Sequence, residues 1–308
     1  FCVLSSLLYV SQTRIIEFKK NTPFLFNSKL ADSLIQKEIT LFKEEHLNKY
    51  LRAGSPVRLI ELKNIKTALN GYETSVPLNQ KAKELEMTIF ISMGAEQILD
   101  KIGDTIKKHF HGVSIKFSSL ALSSFAVVRD MHAHSENFLL INIGGEVTEI
   151  SIIKKNILRE SISFPLGLNF LIRGIAVGLH CSLGEAESYF SLFQDGHAAE
   201  PAEKTLSSVV AKLKLEWLHQ FQESLANLSN DVSVPADIYL TLDKEIASFF
   251  SETIKIEQFN QYTLTESKFT ITLLDPEIFH GLAEFETNVV RDIFLIMDAI
   301  YINRFLKL

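Results

Sequence analysis

The segment Phe138–Gly167 constrains the fold more than any other part of the chain, because it carries three strand signals around a glycine turn. Phe138–Ile141 is a continuous apolar run, as a strand buried on both faces requires, and it leads to Gly144–Gly145, where the backbone can turn tightly. A second strand signal at Val147–Ile153 and a third at Ile157–Phe164 follow. The segment therefore predicts a hairpin and a further strand, which is the outline of a phosphate-binding hairpin.

The composition describes a globular protein with more than one domain or lobe. The chain has 308 residues, of which 46% are hydrophobic and 22% charged, so it can bury a large core. Its net charge of -6 argues against a general nucleic-acid binder. Cys2 and Cys181 lie far apart, which offers neither a disulfide framework nor metal spacing and fits a reducing cytoplasm. No apolar stretch approaches the roughly 20 residues of a membrane span, so we expect any membrane contact to be peripheral.

Before the hairpin, strand and helix signals alternate along the chain. Asn27 and Ser28 offer a helix cap, and apolar residues then recur at helical spacing as far as Glu45. The other expected elements are strands at Thr13–Phe18, Val57–Leu69, Leu85–Ser92 and Val113–Phe117, a helix around Ile98–Ile106 and a helix at Ser118–Arg129.

After the hairpin, most of the signals are helical. Ser182 and Glu185 form a capping-box pattern at the start of one helix. The other expected elements are helices at Leu168–Leu179, Glu203–Leu228, Asp243–Phe250 and from Thr287 onward, with strands at Ile238–Leu242 and Phe269–Leu274.

Three stretches resemble one known family. Asn142–Glu149 resembles the second phosphate motif of the actin-like ATPase superfamily. Phe164–Leu179 resembles the helix entry of its FtsA/PilM family, which comprises cell-division and type IV pilus assembly proteins. Asn70–Ser92 resembles the family's sequence between the first two strands of its inserted SHS2 module. The resemblance covers nearly the whole chain.

The resemblance implies a two-lobed actin-like, ribonuclease H-like α/β fold with an inserted SHS2 (1C) subdomain. Its first lobe would be truncated, because the family's first phosphate-binding loop would lie before Phe1. The implied divisions are a partial first lobe at 1–56, the insertion at 57–117, a return helix at 118–136, the second lobe at 137–286 and a closing helix at 287–308.

The resemblance also implies a vestigial phosphate site for ATP and Mg²⁺, without catalytic residues. The family has an aspartate where this chain has Asn142, and a neutral amide cannot act as a base. The glycines and threonine of the motif have two readings, since they either shape a tight turn with nothing bound or keep a weak phosphate contact. The expected site residues are Asn142, Gly144, Gly145, Thr148 and Gly167.

Three further positions depart from the family pattern. Leu168 replaces the second glycine of a pair, and Phe190 stands where the family has an adenine-side lysine. Thr241–Glu245 replaces a glycine-rich adenosine loop, so side chains would stand where the family lets the backbone approach the nucleoside. The pairs His109/His111 and His132/His134 lack a nearby third ligand, and we expect no metal there.

The resemblance implies a cytoplasmic scaffold of the division or pilus machinery, at the inner face of the cytoplasmic membrane, with a degenerate ATP site. Its partners would be division or pilus proteins bound at the SHS2 module, with self-association, no nucleic acid, and membrane association only through partners. Val289–Ile302 matches the family's last internal helix and only six residues follow it, which favours the PilM side.

Two other functions stay open. In the first, the chain is a working ATPase that binds Mg-ATP between its lobes through Thr148, Glu149 and the amides of Gly144–Gly145. In the second, it is a sugar kinase of the same superfamily, for which the sequence offers no recognisable substrate aspartate.

Overall fold

The protein is described by a computed structural model over residues 1–50, 56–197, 202–228, 234–256, 269–284, 286 and 289–306. The chain divides into two compact units. Unit 1 comprises residues 1–122 and 157–160, and unit 2 comprises residues 123–156 and 161–308. Within the described ranges, no helix is both long enough and apolar enough to cross a membrane.

Unit 1 is built on an antiparallel sheet with the strand order β2-β5-β3-β4, and a separate parallel pair, β1 and β6. Asn27 caps the first helix, because its Oδ1 accepts a hydrogen bond from the amide of Leu30 at 2.9 Å. The elements are β1 (Cys2–Leu4), β2 (Tyr9–Phe26), α1 (Ser28–Tyr50), β3 (Val57–Leu69), β4 (Tyr72–Glu73), β5 (Gln80–Ala95), α2 (Glu96–His109) and β6 (Phe117–Ser119).

A buried carboxylate holds β6 in unit 1. Glu61 of β3 accepts hydrogen bonds from the hydroxyl of Ser118, from the amide of Ser119 at 3.0 Å and from the hydroxyl of Ser119 at 2.5 Å. A buried carboxylate is stable only when such donors replace water, so Glu61 and the two serines depend on each other.

Unit 2 has a sheet with the order β11-β10-β7-β8, in which β10 is parallel to β7 and to β11, and β8 is antiparallel to β7. Strand β9 is divided, with residues 157–160 in unit 1 and the rest in unit 2. The elements are α3 (Leu120–Met131, in unit 2 from Ser123), β7 (Phe138–Ile143), β8 (Thr148–Lys154), β9 (Ile157–Phe164), α4 (Leu168–Leu179), α5 (Leu183–Gln194), α6 (Ala202–Leu228), β10 (Asp237–Thr241), α7 (Ala247–Ile256), β11 (Thr270–Leu274) and α8 (Ile293–Phe305).

The core of unit 2 surrounds Trp217 of α6, which is fully buried. Its ring stacks on Phe221 at a centroid distance of 5.0 Å and meets Phe250 edge-on at 5.0 Å. Apolar residues on one face of β7 and β8 join this cluster, together with residues of α4 and α6. The hairpin predicted from the sequence therefore forms one wall of the unit 2 core.

Several expected elements begin later than the sequence pattern indicates, among them the helix expected from Asp243, whose α-helical part begins at Ala247, and two of these shifts have a clear cause. The strand expected at Val113–Phe117 lies at Phe117–Ser119, because its partners Cys2–Leu4 and Glu61 hold those residues. The last helix begins at Ile293, since Asp292 caps it by accepting from the amide of Leu295 at 3.0 Å. Thr287, where this helix was expected to begin, lies outside the described residues.

Two glycines of α4 allow α6 to approach closely. A Cβ at Gly174 would lie 2.5 Å from Cδ2 of Leu213, and a Cβ at Gly178 would lie 2.5 Å from Cγ2 of Val209. Valine is stiff at χ1, so the second contact has little room to relax.

We expect Gly178→Ala to lower the free energy of unfolding of unit 2 by about 1–3 kcal/mol through overpacking. Denaturant titration followed by the fluorescence of Trp217, the single tryptophan of the chain, measures this change. The control is Gly184→Ala in α5, where nothing lies within 4 Å of a new Cβ. The control should be neutral or stabilising by up to about 1 kcal/mol. Equal midpoints for the two variants would contradict the packing account.

Candidate functional site

Asn142 lies near the end of β7, buried and paired across the hairpin with the buried Glu149 of β8. Its Nδ2 donates long hydrogen bonds of 3.4 Å to the hydroxyl of Ser124 and to Oε2 of Glu149. Its Oδ1 is buried without a hydrogen-bond partner in the described part of the chain. The amide therefore faces a carboxylate and retains one unused acceptor.

Thr148 faces the other side of the hairpin from Asn142, because side chains alternate along β8 and Glu149 is the residue that pairs with Asn142. The Thr148 hydroxyl donates to the carbonyl of Leu166 at 2.7 Å and accepts from Nε1 of Trp217 at 3.1 Å. The structure thus separates Thr148 from Asn142 and uses its hydroxyl inside the core of unit 2.

The turn of the hairpin docks on the first turn of α4. The carbonyl of Gly144 accepts from the amide of Leu168 at 3.0 Å, and the carbonyl of Gly145 accepts from the amide of Asn169 at 2.7 Å. The first amides of a helix lack partners inside the helix and often bind anions. Here two of them are already satisfied by the hairpin.

Gly167 is required by the same docking. A Cβ at this position would collide with the carbonyl oxygen of Gly144 and would lie 2.6 Å from that of Gly145. Real Cβ atoms do not approach backbone oxygens so closely. The contact between hairpin and helix therefore explains this glycine without a ligand.

A charged cluster at the tip of the hairpin completes the contact. Arg173 of α4 donates to both oxygens of Glu146, at 2.9 and 2.7 Å, and Nδ2 of Asn169 donates to one of them at 2.9 Å. The hydrogen bonds from Arg173, followed by that from Asn169, lower the pKa of Glu146 to about 2. We call these contacts, with the two carbonyl–amide hydrogen bonds, the hairpin clamp.

The end of β10 lies beside Asn142. Thr241 is its neighbour in register, and the Thr241 hydroxyl is buried without a partner in the described residues. Asp243 follows Thr241 by two residues. Burial raises the pKa of Asp243, and the carboxylates of Asp292 and Glu245 raise it further. The segment Thr241–Glu245, which contains no glycine, thus places acidic side chains after the carboxyl end of β10.

A second carboxyl group with a raised pKa lies on α8. Burial raises the pKa of Asp298 to about 6, although Ser123 donates a hydrogen bond to it at 2.9 Å, and Asp292 adds repulsion. Lys244 and Arg291 lie next to the acidic residues in sequence. Asp243 interacts electrostatically with Glu245 and Asp292, and Asp292 also acts on Asp298, so this group of carboxylates would repel a phosphate.

Phe190 and Leu168, two of the departures from the family pattern, belong to the core of unit 2. Phe190 is buried and meets the ring of Phe249 edge-on at a centroid distance of 5.5 Å. Leu168 packs against the same cluster. Neither side chain offers a polar group to a nucleotide.

The paired histidines lie in two different settings. The ring of His132 lies 5.9 Å from that of His134 and 4.4 Å from that of Tyr239, and burial, with some repulsion from His134, lowers its pKa. His109 and His111 are exposed. Across the described ranges, no three His, Cys, Asp or Glu side chains are grouped so that they could hold a metal ion.

The residues therefore fit ATP and Mg²⁺ poorly. Among the buried side chains in the described part of this site, the atoms without a hydrogen-bond partner are Asn142 Oδ1 and the Thr241 hydroxyl. The α4 amides are satisfied by the hairpin, the Thr148 hydroxyl is used in the core, and the nearby charges are mainly acidic.

The two units and the strand order define the chain as an α/β protein of the actin-like fold, as the resemblance implied. A solved structure that shows this fold is a PilM-PilN type IV pilus biogenesis complex, with 13% identity and a TM-score of 0.53, covering 79% of this chain and 64% of that one. The chain thus spans just under two thirds of the length of that structure. At this identity the likeness shows the fold alone.

Other comparisons are more distant. An archaeal actin homologue matches with 10% identity and a TM-score of 0.39, covering 61% of this chain and 55% of that one. The ethanolamine utilization protein EutJ from Carboxydothermus hydrogenoformans matches with 18% identity and a TM-score of 0.33, covering 51% of this chain and 50% of that one. No protein-family model matches the chain, and no curated protein matches its sequence.

Thr148→Val should destabilise unit 2 by about 3 kcal/mol, because it leaves the Leu166 carbonyl and the Trp217 indole buried without partners. The same variant should shift the emission of Trp217, since the indole loses its hydrogen bond. The matched control is Thr105→Val on the exposed face of α2, for which we expect less than about 0.5 kcal/mol. A neutral Thr148→Val variant would show that the hydroxyl is free for another role.

The hairpin clamp should also show a defined pH dependence. The folded pKa of Glu146 lies below its ordinary value, so its contribution is present above the unfolded pKa of about 4.3 and is lost as the pH falls toward about 2. The difference in melting temperature between wild type and Glu146→Gln should therefore be largest near neutral pH and vanish near pH 2. Glu187→Gln, an exposed change on α5, is the control, and an equal profile for it would contradict the clamp.

Proposed function

We propose that the chain is a PilM- or FtsA-like assembly protein that acts through protein contacts at the inner face of the cytoplasmic membrane, with a degenerate ATP site. The hairpin clamp carries this proposal. A phosphate at the first turn of α4 would have to displace the carbonyls of Gly144 and Gly145, and it would meet the carboxylate of Glu146. The clamp therefore competes with the ligand that the motif suggests.

The pair of Asn142 and Glu149 supports the same function. An aspartate at position 142 would bury a second carboxylate beside Glu149, and two adjacent buried carboxylates cannot both ionise at low cost. The neutral amide is compatible with the carboxylate on β8. We infer that the negative charge at this place belongs to Glu149 and that residue 142 has lost its part in phosphate chemistry.

Protein partnership is supported by the fold comparison and by the surface of unit 1. The similar solved structure is, by its name, a complex of two pilus biogenesis proteins. In the expected insertion, residues 57–117, Tyr72 is 80% and Val76 69% exposed just after β3. We place the partner contact on this insertion, because exposed apolar side chains of this size are typical of interaction sites. We favour the pilus machinery over the division machinery.

The alternative function, a working ATPase, is favoured by one observation. The unused Asn142 Oδ1 and Thr241 hydroxyl lie at neighbouring positions of β7 and β10, where a polar ligand or a water could bind. In α/β sheets, ligands commonly bind at the carboxyl ends of the parallel strands.

Calorimetric titration of the full-length protein with Mg-ATP separates the two functions. With a degenerate site, we expect no binding tighter than about 10 μM, which corresponds to roughly 7 kcal/mol. The control variant is Thr105→Val, which lies far along the chain from the hairpin and should leave the result unchanged. A tighter constant would support the ATPase instead.

Asn142→Asp tests the site locally. We expect no gain of ATP hydrolysis and a loss of about 1–3 kcal/mol in stability, because the new carboxylate is buried next to Glu149. Adding Glu149→Gln should restore most of this stability by returning the pair to a single charge. Hydrolysis that appears in Asn142→Asp would show that the amide alone had silenced a working site.

A further inference from the structure

The loop that follows α2 in unit 1 exposes apolar side chains. All residues from 107 to 114 are exposed, and among them the side chain of Phe110 is 63% and that of Val113 41% accessible. Neither residue is needed for the core of unit 1, whose buried cluster lies between the sheet and α1. Phe110, at the start of the loop, and Val113 within it thus give this segment an exposed apolar character.

The base of this loop is held in place. On one side, the amide of Phe110 donates to the carbonyl of Ile106 at 2.9 Å at the end of α2. On the other side, Ile115 packs over Gly103, with its Cδ1 3.9 Å from the position that a Cβ would take there. The amide of Cys2 also donates to the carbonyl of Lys116 at 2.9 Å. Both ends of the loop, with Phe110 at its start, are therefore held in place.

The charges around the loop are mostly positive, although the chain carries a net charge of -6. Lys107, Lys108 and Lys116 are exposed, and none of them forms an ion pair in the part of the chain that the structure describes. Asp104, one turn earlier on α2, is the nearest acidic residue in sequence. The loop thus combines exposed apolar side chains with lysines on both sides of it.

We propose that this surface, the loop 110–114 with Lys107, Lys108 and Lys116, binds directly to an anionic lipid membrane. Lysines near such a surface are each worth about a fivefold gain in binding, and an aromatic side chain partitions into the headgroup region. Charge complementarity selects the anionic lipid, because a neutral surface would leave the lysines without counter-charges. The contact goes beyond the proposed protein partnership and does not depend on the nucleotide site.

Co-sedimentation of the 308-residue chain with lipid vesicles tests this surface. We expect binding to phosphatidylcholine vesicles that contain phosphatidylglycerol, no binding to phosphatidylcholine alone, and loss of binding at high salt. The double variant Lys107→Glu/Lys108→Glu should weaken binding about tenfold or more. Phe110→Ser should weaken it several-fold while leaving the salt dependence unchanged. Phe110→Trp should show a blue-shifted emission on binding.

The matched controls place comparable changes elsewhere in unit 1. Lys37→Glu/Lys43→Glu changes two exposed lysines of α1, and Leu7→Ser removes an exposed apolar side chain between β1 and β2. Both should retain vesicle binding. The proposal is overturned if the loop variants bind vesicles as well as the controls do, or if neutral vesicles are bound equally well. It is also overturned if the protein binds polyglutamate through this loop but does not bind vesicles, since that result would identify an acidic protein as the partner.

Discussion

The docking of the hairpin turn on the first turn of α4 is the contact on which both the fold and the chemistry of unit 2 depend. Leu168 and Asn169 donate their amides to the carbonyls of Gly144 and Gly145, and Gly167 leaves room for that approach. The amides at a helix start are the donors that an anion would use. Since the chain uses the amides of Leu168 and Asn169 to fasten β7 and β8 to α4, these two donors are already occupied by backbone carbonyls.

Charge placement follows from the same geometry. Only one carboxylate can be buried cheaply between the ends of β7 and β8, and in this chain Glu149 supplies it. The amide of Asn142 donates to it, although at 3.4 Å, so the pair is compatible where two acids would repel each other. Further carboxylates at Asp243 and Asp298, both with raised pKa values, extend the negative character toward β10 and α8.

The parts of this structure that depend on local signals were predictable from the sequence. The apolar run of β7 and the capping box of Ser182 each follow from neighbouring residues, and both are present. The position of β6 was not predictable from its own residues, because Cys2–Leu4 and Glu61 decide it from far away in the chain. The ion pair of Glu146 and Arg173 was likewise not predictable, because nothing in the sequence around either residue indicates the other as its partner.

Thr148 shows that a residue which matches a motif is weak evidence that the function of the motif is present. The Thr148 hydroxyl has a single proton, which it donates in a hydrogen bond to the carbonyl of Leu166. The oxygen of the same hydroxyl accepts a hydrogen bond from the indole of Trp217. A threonine is thus required here by the packing of α6 against the hairpin, whether or not a phosphate binds. Gly167 is required in the same way by backbone contact. The informative position is Asn142, whose buried Oδ1 has no hydrogen-bond partner in the described residues: packing does not satisfy this amide, and what it provides is a neutral partner for the carboxylate of Glu149.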